Sequence, residues 1–254
     1  MNILPSTSGL LQRLAGLFPL STEECRALEA IAGAARLHRP HEELLQEGQS
    51  AAHIGLLMSG FAFRCRILPD GRRQIVSYLI PGDLCDARLL VLPAATHTIS
   101  TLTAANVVPF ARDALLALIE RYPRIGQALC WLALVEELIA REWLVNVGQR
   151  TAIEQLAHLM CEIFTRMKSV GMTDHGRCEL PLTQVELADS LALSTVHVNR
   201  TLQELRRRGL VSLSAGMLEI HDFEALQAVA LFAPDYLHPG GPSSEFAQRR
   251  FGPR

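Results

Sequence analysis

The stretch that most constrains this chain is Leu182 to Leu213, LTQVELADSLALSTVHVNRTLQELRRRGLVSL. Its apolar spacing packs one short helix on another and leaves a row of polar side chains with nothing to bury. Thr183 followed three residues on by Glu186 is a capping box, in which each side chain bonds the other's backbone N–H. Leu187 and Leu191 share a face at i,i+4 spacing. The helix should end near Leu191-Ala192-Leu193, and Ser194 offers a second N-cap after a turn of about three residues. On a wheel of about 100° per residue, Val198, Thr201, Leu202 and Leu205 gather on one side. Val196, Arg200, Gln203 and Arg207 fall opposite, with Asn199 on the flank. The pattern predicts a helix-turn-helix.

From Ser194 to Leu213 there are four arginines (200, 206, 207, 208) against one glutamate, Glu204, inside a chain of formal net charge −2. Such a local basic stripe is an electrostatic footprint for phosphate. The residues expected to meet DNA are Thr183, Ser194, Thr195, Val196, His197, Asn199, Arg200, Gln203 and Arg207. The competing reading is a solvated surface helix. Beyond Gly209, Leu210-Val211-Ser212-Leu213, the turn Ser214-Ala215-Gly216 and Met217-Leu218-Glu219-Ile220 spell a short hairpin, which adds a wing.

A chain of 254 residues has room for two domains, and 49 % apolar with 20 % charged residues is ordinary globular material. Met1 to Leu20 lacks the basic start and unbroken apolar run of a secretory signal. The densest apolar run, Ala128 to Val135, is too short to span a bilayer, so a cytoplasmic location without membrane attachment is expected. Six cysteines (25, 65, 85, 130, 161, 178) include no C-x-x-C pair, which argues against a zinc site or a disulfide framework.

Gly9 to Ala35 carries helical periodicity in two pieces, the second capped by Ser21 with Glu24. From Arg36 to about Pro109 the chain breaks into short runs bounded by Gly, Pro and Asp, as strands joined by turns would be. Phe61, Phe63, Cys65 and Ile67 alternate with Ala62, Arg64 and Arg66, the mark of a half-buried strand. Pro69-Asp70-Gly71 is a turn with a return strand from Gln74 to Ile80. Asp113 starts a helix to Tyr122. Pro123 opens a second helix of some 25 residues, roughly 38 Å, with Gly148 as a hinge. Its apolar residues exceed one face, so it needs two partners. The expected pair is its own roll and a second copy of the chain, with Ile125, Leu129, Leu132, Val135, Ile139 and Trp143 assigned to the dimer contact. Thr151 to Lys168 forms another amphipathic helix, and Asp222 begins one through Phe232.

The expected class is α+β: an N-terminal antiparallel β-roll with flanking helices (1–122), a central dimerisation helix and hinge (123–149), and a winged helix-turn-helix (150–233). The Pro-, Gly- and Arg-rich remainder, 234–254, has too little apolar content to order itself.

This order resembles the Crp/Fnr superfamily of bacterial transcriptional regulators. The matching residues are Leu57-Met58-Ser59-Gly60, Pro69-Asp70-Gly71-Arg72, Pro81-Gly82-Asp83, Leu182-Thr183 with Glu186-Leu187-Ala188, and Ser194 with Val198, Arg200 and Leu202. The resemblance implies a cyclic-nucleotide-binding-like roll and a homodimer that presents two recognition helices to a pseudo-palindrome about 34 Å apart. It also implies contact with RNA polymerase and control by an effector in the roll. Arg200 matches the family's base-reading arginine, whose fork suits guanine. Val196 stands where many members carry an acidic residue and suits a thymine methyl instead, and Thr195 replaces a longer side chain.

The effector pocket is expected around Asp83, Asp86, Arg88, His97 and Thr98. Here the chain departs from cyclic-nucleotide members. Ala87 occupies about the position of their ribose-binding carboxylate, and Thr96-His97-Thr98 stands where they carry an arginine that clamps phosphate. Arg88 and Arg112 are the substitutes at hand. Cys25 alone cannot hold an iron–sulfur cluster. His53, His97, Met58 and Cys85 are scattered as structural groups would be, which disfavours haem. No cofactor is therefore expected. Two other readings are a cupin-like barrel enzyme, whose metal site His38 and His41 do not match, and a module using its helix-turn-helix for protein contacts.

Overall fold

A computed structural model describes residues 8–237, so the end of the expected tail, 238–254, lies outside the described residues. Helices α1 (Ser8–Leu17) and α2 (Thr22–Ala30) come first. Ser21 caps α2 by the expected box: its N–H donates to Glu24 Oε2 at 2.7 Å, and Glu24 N–H donates to Ser21 Oγ at 3.2 Å. Seven strands follow: β1 (Arg36–His38), β2 (Glu43–Leu45), β3 (His53–Ser59), β4 (Ala62–Ile67), β5 (Arg73–Leu79), β6 (Thr98–Thr101) and β7 (Ala105–Ala111). They pair antiparallel in two sheets, β1-β7-β3 and β2-β6-β4-β5, which make the roll. At the Pro81-Gly82-Asp83 turn, Gly82 has φ 95°, and a Cβ there would stand 2.9 Å from the Gly9 carbonyl oxygen. Only glycine lets that turn meet α1 so closely.

One strand departs from its pattern. Alternation puts Arg64 on the open face of a half-buried β4, yet Ala62, Phe63, Arg64 and Cys65 are all buried. The reason is a partner distant in sequence: the Glu136 carboxylate closes over Arg64, accepting from Nη2 at 3.2 Å.

Helix α3 (Arg112–Arg121) leads into α4 (Pro123–Gln149), which runs through Gly148 without a break. The chain turns at Arg150 instead. Thr151 then caps α5 (Ala152–Ser169) through a box with Glu154 that the sequence reading passed over. The winged unit follows as β8 (Arg177–Glu179), α6 (Gln184–Leu191), α7 (Thr195–Arg207), β9 (Val211–Ser214) and β10 (Met217–Ile220), with sheet order β8-β10-β9. Helix α8 (Phe223–Ala230) stops two residues before Phe232, where Leu231 turns left-handed at φ 50°. Pro234–Leu237, expected to begin the unordered tail, forms a 3-10 turn with Leu237 buried. Tyr236 anchors it, its hydroxyl donating to Glu162 Oε2 at 3.0 Å.

Helix α4 joins two cores. Ile125, Leu129 and Leu132 pack with α1, α2, α3 and the roll. Val135, Ile139 and Trp143 pack with the winged unit and with Phe61, Phe63, Tyr78 and Ile80 of the roll. All six residues assigned to a dimer contact therefore face inward in their own chain, and that assignment is corrected. The sequence shows two apolar stripes on α4, and the periodicity of each is equally helical. The stripe left exposed holds Leu134 at 53 %, Leu144 at 75 % and Val145 at 47 % of full exposure, with Trp131 and Leu138 half-buried beside them. Among the described residues no helix is long and apolar enough to cross a membrane.

Candidate nucleic-acid interface and sensor cavity

The helix-turn-helix is built by local bonds. Thr183 N–H donates to Glu186 Oε2 at 2.6 Å, and Glu186 N–H returns to Thr183 Oγ1 at 3.3 Å. Helix α6 ends because Ala192 adopts the left-handed conformation, φ 54°. Two residues on, Ser194 Oγ accepts from His197 N–H at 3.2 Å and starts α7. Val198, Leu202 and Leu205 are buried together with Leu187 and Leu191, and Thr201 turns its hydroxyl onto the His197 carbonyl at 2.9 Å.

Burial of that side leaves the rest of α7 outside. Thr195, Val196, His197, Asn199, Arg200, Gln203 and Arg207 are exposed, as are the caps Thr183 and Ser194, so the nine residues read from sequence lie at the surface of one motif. Val196, 70 % exposed, is an apolar side chain with no packing reason to be there. An open groove between α7 and the start of α5 is lined by Asn199, Arg200, Gln203, Arg207 and Arg208 on one side and by Thr151 to Ile153 on the other.

The four arginines are not equivalent. Arg206 bonds the Leu213 carbonyl and holds the wing. Arg207 Nε and Nη2 donate to Glu204 at 2.9 and 2.8 Å, and Arg208 Nε donates to the same carboxylate at 2.8 Å. The bonds from Arg207 and Arg208 pull the Glu204 pKa down to about 2. Arg200 has no hydrogen bond or ion pair among the described residues. It is the free guanidinium of the recognition helix.

A second site lies upstream, where the roll meets α4 and α5. Asp83, Arg88 and His97 line one cavity there, as expected. Asp86 and Thr98 do not, and the expected pocket is corrected accordingly. Asp86 turns aside to cap the 3-10 helix Ala87–Leu90, taking Arg88 N–H and Nε, and Thr98 Oγ1 is bound by Glu47 N–H at 3.2 Å. The cavity is completed by Arg64, Ser77, Glu136 and Arg166. The sequence reading missed these four because they come from four different elements. The one local hint was an arginine, Arg64, within an otherwise apolar strand.

Asp83 also anchors an ion network between the domains. It accepts from Ile80 N–H at 2.9 Å and Arg166 Nη2 at 2.7 Å, and it pairs with Arg13 of α1. Burial first, and the nearby Arg166 next, bring the Arg13 pKa down to about 9. Arg166 in turn reaches the fully buried Glu162 at 3.3 Å, which Trp143 and Tyr236 also bond at 3.0 Å. Burial pushes the Glu162 carboxyl upward.

Comparison with known proteins agrees with this geometry. Residues 35–122 match the cyclic nucleotide-binding domain family, and residues 154–229 match the Crp-like helix-turn-helix domain family. The chain is 31 % identical over 168 residues to the nitrogen fixation regulation protein FixK of Bradyrhizobium diazoefficiens, covering 65 % of this chain and 68 % of the relative. It is 29 % identical over 197 residues to the transcriptional activator protein FnrL of Cereibacter sphaeroides, covering 76 % and 77 %. The structure of FixK2 from Bradyrhizobium japonicum superposes with a TM-score of 0.72 at 22 % identity, covering 80 % of this chain and 99 % of that one. With its roll, long helix and winged helix-turn-helix in the same order, the chain belongs to the Crp/Fnr family of DNA-binding transcriptional regulators.

Proposed function

We propose that this regulator binds a pseudo-palindromic DNA site as a homodimer in the cytoplasm and acts on transcription there, through contact with RNA polymerase, rather than as a barrel enzyme. The observation that carries the reading is the free Arg200 guanidinium among exposed side chains of α7. Arg200 reads guanine O6 and N7 with its planar fork, and Val196 meets a thymine methyl. Thr195, His197, Asn199 and Gln203 meet base edges or phosphates along the same groove. Thr183, Ser194 and Arg207 fix the register on the backbone.

Two copies join along the exposed stripe of α4. Trp131, Leu134, Leu138 and Val145 recur at spacings of three, four and seven, with Arg141 at the skipped position, one face of the helix that a second copy can bury. The roll receives an effector in the cavity lined by Asp83, Arg88 and His97, without a cofactor.

Fluorescence anisotropy on a selected duplex and a random duplex tests the DNA contact. Arg200→Ala should cost about 1–3 kcal/mol on the selected site and relax preference at one base position. If wild type binds neither duplex at low salt, the helix-turn-helix serves protein contacts and the proposal fails.

A further inference from the structure

The cavity between the roll, α4 and α5 has a size and a hydrogen-bonding balance that name the chemistry of its occupant. Its volume is about 130 Å³, close to the roughly 150 Å³ of an engineered cavity that holds benzene, a molecule of six heavy atoms. A cyclic mononucleotide has more than three times that many heavy atoms. It would also need the phosphate-clamping arginine that Thr96-His97-Thr98 lacks. The residues present do not fit that ligand.

The donors in the wall outnumber the acceptors. Arg64 is fixed from behind, with Nε on the Cys85 carbonyl at 3.1 Å and Nη2 on the Leu84 and Cys85 carbonyls at 3.0 and 2.8 Å. Its Nη1 makes one bond, a 3.3 Å contact to Ser77 Oγ, and so keeps an N–H to give. Arg166 uses Nη1 and Nη2 on Glu162, the Tyr78 carbonyl and Asp83, while its buried Nε–H has no acceptor. Arg88 uses its backbone N–H and Nε on Asp86, which leaves both terminal nitrogens of its guanidinium open. His97 meets Thr96 Oγ1 through Nδ1 at 2.9 Å and keeps Nε2. Against these stand two carboxylates already engaged, Asp83 by Arg13 and Arg166, and Glu136 by Arg64. With the groups behind the wall counted, Arg13, Arg64, Arg88 and Arg166 are matched by Asp83, Asp86, Glu136 and Glu162, so the wall offers unused N–H donors rather than a net positive charge. Burial first, and then Arg88, Arg64 and Arg66, lower the pKa of His97.

We propose that this cavity binds a compact oxyanion of about six heavy atoms, a small carboxylate or a phosphate, held by Arg88 and His97 at the mouth and by Arg64 and Arg166 within. The inference rests on the reading of the roll as the sensor and names the class of its ligand. Arg166 and Asp83 belong both to this wall and to the network that ties α5 to the roll, so the anion would bind where the two domains are joined.

The test is titration calorimetry on the full chain, dialysed into chloride buffer at matched ionic strength, with lactate, inorganic phosphate and cyclic AMP as separate probes. One of the two small anions should bind saturably at one per chain, distinguishing a carboxylate from a phosphate site, and cyclic AMP should give no saturable heat. Arg88→Gln keeps the backbone N–H that bonds Asp86 and should still fold cooperatively, with a lower melting temperature, while weakening that anion about tenfold or more. His97→Phe, a second and independent variant, should weaken it as well. Absence of saturable binding by both anions, binding undiminished in both variants, or tighter binding of cyclic AMP overturns the proposal. DNA binding is read separately on the duplexes above, so loss of the DNA reading and loss of the anion reading are distinct results.

Discussion

The Tyr78 hydroxyl, on β5 of the roll, donates to the Glu186 carbonyl in the first helix of the helix-turn-helix at 3.0 Å, and both residues are buried. Beside it, Arg73 pairs with Asp189 at 2.7 Å and Gln74 Nε2 donates to the Ser190 carbonyl at 3.3 Å. This strand of the roll thus grips α6, while the polar face of α7 stays exposed. Because the contact joins backbone and side chains across two domains, the winged unit takes a defined orientation on the roll.

Arg73→Glu should loosen this grip. The pair is partly exposed, so the loss is about 1 kcal/mol in urea unfolding, with faster hydrogen exchange in α6. The swap Arg73→Glu with Asp189→Arg should recover most of it. No recovery would mean the ion pair contributes nothing and that Tyr78 and Gln74 hold the helix.

Leu134→Arg and Leu132→Arg separate the two stripes of α4. Leu134 is exposed and outside both cores, so its variant should fold and sediment as a monomer. Leu132 lies in the roll core at 5 % exposure, and a buried unpaired charge there should cost several kcal/mol and unfold the N-terminal domain. A dimeric Leu134→Arg protein would sink the proposed seam.

Glu204 is ionised throughout the neutral range and partly cancels Arg207 and Arg208 on the exposed side of α7. Glu204→Gln should therefore raise affinity for random duplex and steepen the dependence of log K on log salt by up to about 1. Arg207→Ala should flatten it by a similar amount and weaken all sequences alike. Identical salt slopes for the three proteins would place this end of the helix away from phosphate.

His158 predicts a pH dependence. Its fully buried ring stacks on Tyr236, meets Phe232 edge-on, and lies 3.4 Å from a Glu142 carboxylate that Arg150 already holds at 2.5 Å. Burial, then Arg150, lowers its pKa to about 3. The unfolded chain takes up this proton near pH 6.5 and the folded chain does not. The stability it contributes is therefore present above about pH 6.5 and falls as pH drops toward 3. Between pH 7 and pH 5 the loss is about 2 kcal/mol, and His158→Phe should remove it. Equal losses in wild type and variant would show that other groups carry the acid response.

What the sequence determined by itself was everything written within four residues. The boxes at Ser21 and Thr183 and the cap at Ser194 bond neighbours along the chain, so residue type and spacing suffice to start a helix there. The buried side of α7 follows from 3.6-residue periodicity in the same way, and its complement is the exposed polar face. Tertiary structure alone decided which stripe of α4 faces inward, because both stripes are apolar and the choice depends on what packs against them. It decided that Arg64 is buried, through Glu136, 72 residues away, and that Tyr78 holds Glu186, 108 residues away. It likewise bound Thr98 to Glu47, 51 residues away, and brought Arg166 into the cavity beside Asp83. Such contacts are set by how elements pack in space, and no spacing along the chain encodes them.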